Sequence, residues 1–366
     1  MTAKDTEIAC SYDTLTSILK YSEYNQRERL IGKCATLKTI EARNKFPYSF
    51  DTVEIKTDSF KLTDRGTASE WSFCRSTRSK TEIEFRSAQK HFYKTLEKPG
   101  IESFNELLEE YLRPGTRIGM LRLDFTTTNG MPIDPTEIKT ENLRLKVKNL
   151  EIESFTAEVF HKWIATIDIS NGNCLDSIPL FGRAWRASRD SVDIITMLQH
   201  PAIQSAQKVI LNEKLIRMSR DKWLFNLPNK HIELVTRVYT FDTLGLLPQE
   251  WIENHRPLGY TFTQRMQYSN SFQKFCEYME ETTGAIPSTF ASAEREKQEC
   301  FTFPMDDELE LVLYEEIRGV VNPKPKPQQV INRPVQPINL MPENPAFAKF
   351  EVMKKGSTVP RKESAD

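Results

Sequence analysis

Two hydrophobic periods alternate along this chain. Leu15, Ile18 and Leu19 form a stripe at helical spacing, and Leu30 and Ile31 continue it among charges, which predicts a helical segment over 11–42. Pro47 ends that pattern. Phe50, Val53, Ile55, Phe60 and Leu62 then stand among Thr, Asp and Lys, and Trp71 and Phe73 alternate with polar residues, so short strands are expected with a turn at Arg65-Gly66. After Pro99-Gly100 the period returns to 3.6: Ile101, Phe104, Leu107, Leu108, Tyr111 and Leu112 share one helical face until Pro114-Gly115.

The most strand-like stretch follows. Ile118 and Met120 alternate, and Leu121, Leu123 and Phe125 alternate in the opposite phase, a slip that a β-bulge would produce. Asn129-Gly130 signals a turn. Leu143, Leu145 and Val147 alternate with Arg144, Lys146 and Lys148, and Val159, Trp163, Ile167 and Ile169 extend the β character. Beyond Ile178-Pro179-Leu180 the chain is expected to turn helical from Ser191. A helix from Pro201 would gather Ile203, Ala206, Val209 and Ile210, and later Leu215 and Met218. Ile232, Leu234 and Val238 suggest another strand, and Leu309, Leu311 and Leu313 a last one. The pattern gives an α+β fold with an antiparallel, β-rich core flanked by helices, and no internal repeat. Its divisions are a helical segment at 1–48, a β-rich core at 49–190, a mixed part at 191–321 and a tail at 322–366.

Composition changes this picture at the C-terminal end. The tail holds 8 of the 20 prolines, lacks a hydrophobic period and carries 8 basic against 4 acidic side chains, so it reads as extended or disordered. The whole chain, 366 residues with 50 basic and 51 acidic side chains, is neither a polycation nor an acidic disordered solubiliser. No apolar run is long enough for a transmembrane helix, and the N-terminus lacks the core of a secretory signal. The six cysteines form no C-x-x-C pair and read as free thiols, and no His or Cys pairing has zinc spacing. Glycine is sparse, at 13 residues, and no dinucleotide, P-loop or nucleophile-elbow motif is present. No cofactor is expected. An enzyme would need a site of dispersed residues, such as Cys174 with His161, or a perturbed carboxylate or thiol in a deep pocket.

Two basic rows are the candidate nucleic-acid contacts. Arg144, Lys146 and Lys148 fall on one strand face by alternation and could meet successive phosphates, or form the solvated face of a half-buried strand. Arg183, Arg186 and Arg189 recur every three residues around Trp185, which suits a single strand of nucleic acid, a surface helix anchored by its Trp, or pairing with Asp190 and Asp193. Asp124 and Asp168 sit in apolar runs and are expected to face solvent. Asp134 precedes Pro135 and could hold a turn through its side chain.

The order of these segments, with Ile133-Asp134-Pro135 upstream of Ile178-Pro179-Leu180 and the basic stretch Arg183 to Arg189, resembles the thirty-kilodalton superfamily of plant-virus cell-to-cell movement proteins, and most of all those of segmented negative-strand viruses. The resemblance covers about residues 50–200. That family's mark, an Asp after an apolar strand and a Gly some tens of residues on, is met by Asp134 with Gly182 and also by Asp124 with Gly172. The resemblance implies a jelly-roll-like core without catalysis. It also implies a homo-oligomer that binds single-stranded RNA or viral ribonucleoprotein without sequence preference, meets the viral nucleoprotein and host plasmodesmal or membrane proteins, and acts in host cytoplasm and at plasmodesmata. The alternative expectation is a viral nucleocapsid or matrix-like assembly protein.

Overall fold

The computed structural model describes residues 11–77, 79–125, 133–153, 156–170, 174–181, 196–211, 222–235, 239–266, 271–291, 297–317 and 346–361. The chain divides into two compact units, Met1–Ile203 and Gln204–Asp366.

The first unit opens with α1 (Tyr12–Tyr21), α2 (Tyr24–Lys33) and α3 (Ala35–Asn44). Ser11 caps α1 by accepting from the Thr14 amide, and Leu19, Leu37 and Ile40 close a small core between these helices. Its strands are β1 (Ser49–Lys56), β2 (Ser59–Asp64), β3 (Thr67–Ser76), β4 (Thr81–Ser87), β5 (His91–Leu96), β6 (Arg117–Asp124), β7 (Lys146–Glu153) and β8 (Ser177–Phe181), with α4 (Gly100–Tyr111) between β5 and β6 and α5 (Ala157–Ile164) between β7 and β8. They form one sheet in the order β8-β7-β6-β1-β2-β3-β4-β5. β1 to β5 make an antiparallel meander, whereas β1, β6, β7 and β8 run parallel.

The second unit repeats the plan. Strands β9 (Lys208–Leu211), β10 (His231–Leu234) and β11 (Thr261–Arg265) are parallel, and the antiparallel strands β12 (Ile286–Phe290), β13 (Gln298–Pro304), β14 (Leu309–Ile317), β15 (Ala346–Lys354) and β16 (Val359–Pro360) complete the sheet. The short helix α6 (Pro201–Gln204) ends at the first residue of this unit, and helices α7 (Phe241–Leu244), α8 (Leu247–Glu253) and α9 (Ser271–Thr283) interrupt its strands. The α+β class and the predominance of antiparallel pairings therefore stand. The jelly-roll form does not, because the described strands of each unit share a single hydrogen-bonded sheet rather than two facing ones.

A repeat that the periodicity concealed explains the parallel strands. In β1, Phe50, Val53 and Ile55 are buried; β6 repeats the spacing with Ile118, Leu121 and Leu123, β7 with Val147, Leu150 and Ile152, and β8 with Leu175, Ile178 and Leu180. Ala206, Val209 and Leu211 do the same at β9. At β10 Asn229 takes the first place before Ile232 and Leu234, and its Nδ2 donates to the Ala206 carbonyl at 2.7 Å. The residues align across strands: Phe50–Ile118–Val147, Val53–Leu121–Leu150 and Ile55–Leu123–Ile152 are registered rows. One such strand cannot bury its apolar side alone, and stacked neighbours make a continuous core. Each fully buried aliphatic side chain contributes about 1.5–3 kcal/mol. The phase slip expected in β6 is thus a property of the repeat, shared by its neighbours. The strand-to-strand intervals are long and unequal, which is why no repeat stands out in the bare sequence.

Three other expectations change. Val159 and Trp163 lie in α5, capped by Thr156, where Val159, Phe160, Trp163 and Ile164 form a helical stripe. The helix from Pro201 is a single turn, and Val209 and Leu211 alternate in β9. The tail expected from 322 re-enters the second sheet: β15 lies between β14 and β11, with Ala348, Phe350 and Val352 buried. Its apolar alternation spans only seven residues beside a proline-rich stretch whose composition dominates. Residues 318–345 lie outside the described residues.

Candidate recognition surface

The polar positions of the first unit's repeat face solvent in rows. One row crosses six strands with alternating sign: Arg86, Glu70, Lys61, Glu54, Arg122 and Glu151 are registered neighbours. Arg122 Nε donates to Glu151 Oε2 at 2.9 Å, and Lys56 Nζ reaches Glu54 Oε1 at 2.8 Å. Such exposed pairs contribute about 0–1 kcal/mol each, but they neutralise this part of the face.

Toward the N-terminal ends of the parallel strands the balance shifts. Arg117, Lys146 and Lys148 line a depression of about 650 Å³ with Ser49, Asp51, Gly119, Cys174 and Asp176. No ion pair or side-chain hydrogen bond engages these three cations among the described residues. Gly119 forms the floor, for a Cβ there would stand 2.7 Å from the Asp51 carbonyl oxygen. Asn149 Nδ2 donates to the Gly119 carbonyl at 3.1 Å, and Ser177 Oγ donates to Asn149 Oδ1 at 2.7 Å, fixing the far side. Asp51 spends one oxygen on the Arg65 amide at 2.6 Å.

The strand alternation places Lys146 and Lys148 on the open face as expected. Arg144 precedes β7 and turns its guanidinium onto the carbonyls of Leu143 and Glu141. Arg117, which the sequence reading missed, completes the cluster; its signal was its position at the start of a strand parallel to β7. Phe50 is the one ring lining this depression and is 3% exposed, so bases find no stacking platform there. Asp124 ends β6, registered between Lys56 and Glu153. Asp134 holds a turn: its Oδ1 accepts from the Thr136 amide at 2.9 Å and hydroxyl at 2.8 Å. Asp168 accepts from Ser170, which draws its carboxyl below the usual range. Ile178, Pro179 and Leu180 are buried in β8, and Ile178 and Leu180 serve the ladder's core. Gly172, Gly182, Arg183, Trp185, Arg186 and Arg189 lie outside the described residues.

Burial pushes the Cys276 and Cys300 thiols up to about 12, so at neutral pH they stay protonated and weakly nucleophilic. Glu84 is drawn down to about 2 by hydrogen bonds from Tyr93, His91 and Arg86 on the meander. No group of three or more potential metal ligands occurs among the described residues. Iodoacetamide on the native chain at pH 8 should alkylate exposed Cys74 and Cys174 first. Cys276 and Cys300 should react only on unfolding, as peptide mass mapping would show.

No helix among the described residues is long and apolar enough to cross a membrane. The family model described as a domain of unknown function (DUF3557) matches residues 101–268. That segment begins in α4 and ends just beyond β11, so it takes in the parallel strands β6 to β11 and leaves out both antiparallel meanders. No curated protein and no solved structure matches the chain.

Proposed function

We propose that this chain is a binding protein whose first unit holds an anionic segment of a protein partner on the strand face of its parallel ladder. One observation carries the reading: among the described residues Arg117, Lys146 and Lys148 have no ion pair, and they outnumber Asp51 and Asp176 around the Gly119 floor, while the neighbouring row neutralises itself across six strands. Parallel ladders present solvent-facing side chains in fixed rows, and repeat proteins use such surfaces for recognition. A cluster of unneutralised cations in a concave place raises the local concentration of an anionic partner.

The same three cations favour a second reading, the single-stranded RNA or ribonucleoprotein binding implied by the movement-protein resemblance, with transport through plasmodesmata and contact with a nucleoprotein as its consequence. Phosphate contacts alone supply sequence-independent affinity. A nucleocapsid or matrix-like assembly role would use that contact too. Anisotropy titrations of the full chain with a fluorescent acidic peptide and with a fluorescent single-stranded oligonucleotide separate the readings. The peptide, which carries no bulky apolar side chain, should bind more tightly, and the triple variant R117E/K146E/K148E should abolish its binding without lowering the unfolding midpoint. Tighter oligonucleotide binding with a steep salt slope would favour the second reading, and an unaffected triple variant would remove the site from both.

A further inference from the structure

The opposite, core-facing side of the first unit's meander carries a second cavity. Phe60, Trp71, Phe85 and Phe92 are registered cross-strand neighbours. Their rings form a continuous strip, with centroids 5.6, 5.0 and 5.0 Å apart. Tyr111 of α4 packs on Trp71 at 5.1 Å and Tyr24 of α2 on Tyr111 at 5.8 Å, but the strip outruns its cover and Phe92 is 45% exposed. A cavity of about 580 Å³ opens there between α2 and the β4–β5 hairpin. That is within the range of ligand sites. Its rim carries Arg29, Lys33 and Lys90, which have no ion pair among the described residues. Glu28 also lines it, receives the Tyr48 hydroxyl, and is pushed up from the usual carboxylate range by burial. Gly32 lines it with nothing within 4 Å of a Cβ.

We propose that this cavity docks an extended peptide of a partner protein, a bulky apolar side chain entering against Trp71, Phe85 and Phe92 and flanking acidic residues meeting Arg29, Lys33 and Lys90. The charge of the rim sets the sign of the flanks. The rings meet one another tilted or edge-on, leaving no parallel pair to sandwich a nucleobase, so a side-chain anchor fits better than a nucleotide. Among the described residues β5 ends the unit's sheet, and its outer backbone edge is available for an added strand. This inference stands apart from the ladder site, since it uses other residues and the other side of the sheet.

The test is fluorescence anisotropy with a labelled twelve-residue peptide bearing one phenylalanine between runs of aspartate and glutamate, against the same peptide with lysine flanks. The full chain should bind the acidic peptide and not the basic one. R29E/K33E should weaken binding at least tenfold. G32F, which fills the cavity from a position with open space, should do the same, and both losses should persist in the R117E/K146E/K148E background, where binding at the ladder is removed. Each variant's thermal midpoint is recorded, so that loss of binding in a folded chain is what counts. Equal binding of both peptides would overturn the proposal. So would binding indifferent to R29E/K33E and G32F, or stronger competition by a single-stranded oligonucleotide than by unlabelled acidic peptide.

Discussion

Glu41→Ala should destabilise the first unit by about 3–5 kcal/mol, the cost of leaving buried positive charge uncompensated. Arg27, 1% exposed, approaches Glu41 at 3.8 Å, and Arg113 pairs with the same carboxylate oxygen. Burial lowers the pKa of the Arg27 guanidinium. Both arginines also bind the chain between α3 and β1: Arg27 donates to the Phe46 and Pro47 carbonyls at 3.0 and 3.1 Å, and Arg113 to Phe46 at 3.0 Å. Tyr48 lies between them, with Arg27 4.5 Å and Arg113 4.7 Å from its ring centroid. This cluster ties the N-terminal helices and the end of α4 to the entry of β1. The exposed Arg122–Glu151 pair is the internal control, and Glu151→Ala should cost less than about 1 kcal/mol. Urea unfolding of the two variants would measure the difference. A small effect at Glu41 equal to that at Glu151 would mean that the helices are not fastened in this way.

Ending the chain at 345 should unfold the second unit. β15 pairs with β14 along nine registered positions and with β11 along five, so its loss strips hydrogen-bonding partners from both. It also removes Phe347, Phe350 and Val352 from the core. At about 1.5–3 kcal/mol for each buried side chain, the loss rivals the total stability of a domain, about 5–15 kcal/mol. Limited proteolysis checks this directly: the chain ending at 345 should lose its resistant fragment from the second unit. A fragment as resistant as that of the full chain would show that β15 is dispensable.

The local elements were legible where one period ran unbroken. The α4 stripe from Ile101 to Tyr111 and the alternation around Lys146 and Lys148 describe what the chain does there. The parallel ladder was not, because its spacing of apolar residues three and then two apart belongs neither to a helix nor to a plain strand. Phe50, Ile118, Val147 and Leu175 become equivalent only once their strands are stacked. The same limit hid Arg117 and the cavity at Trp71, whose residues come from α2, β3, β4, β5 and α4 and meet only in the fold. The Ile178-Pro179-Leu180 motif shows the converse: conspicuous residues that are buried within β8.

Photo-crosslinking tests the recognition surface most directly. A photoreactive residue at Met120, which follows Gly119 on β6 and is registered with Thr52 and Asn149, would be irradiated in the presence of the fluorescent acidic peptide, with the same residue at Thr39 on α3 as the comparison. The account predicts an adduct from position 120 that disappears in R117E/K146E/K148E, and none from position 39. Equal adducts from both positions, or an adduct at 120 that survives the charge reversal, would contradict it.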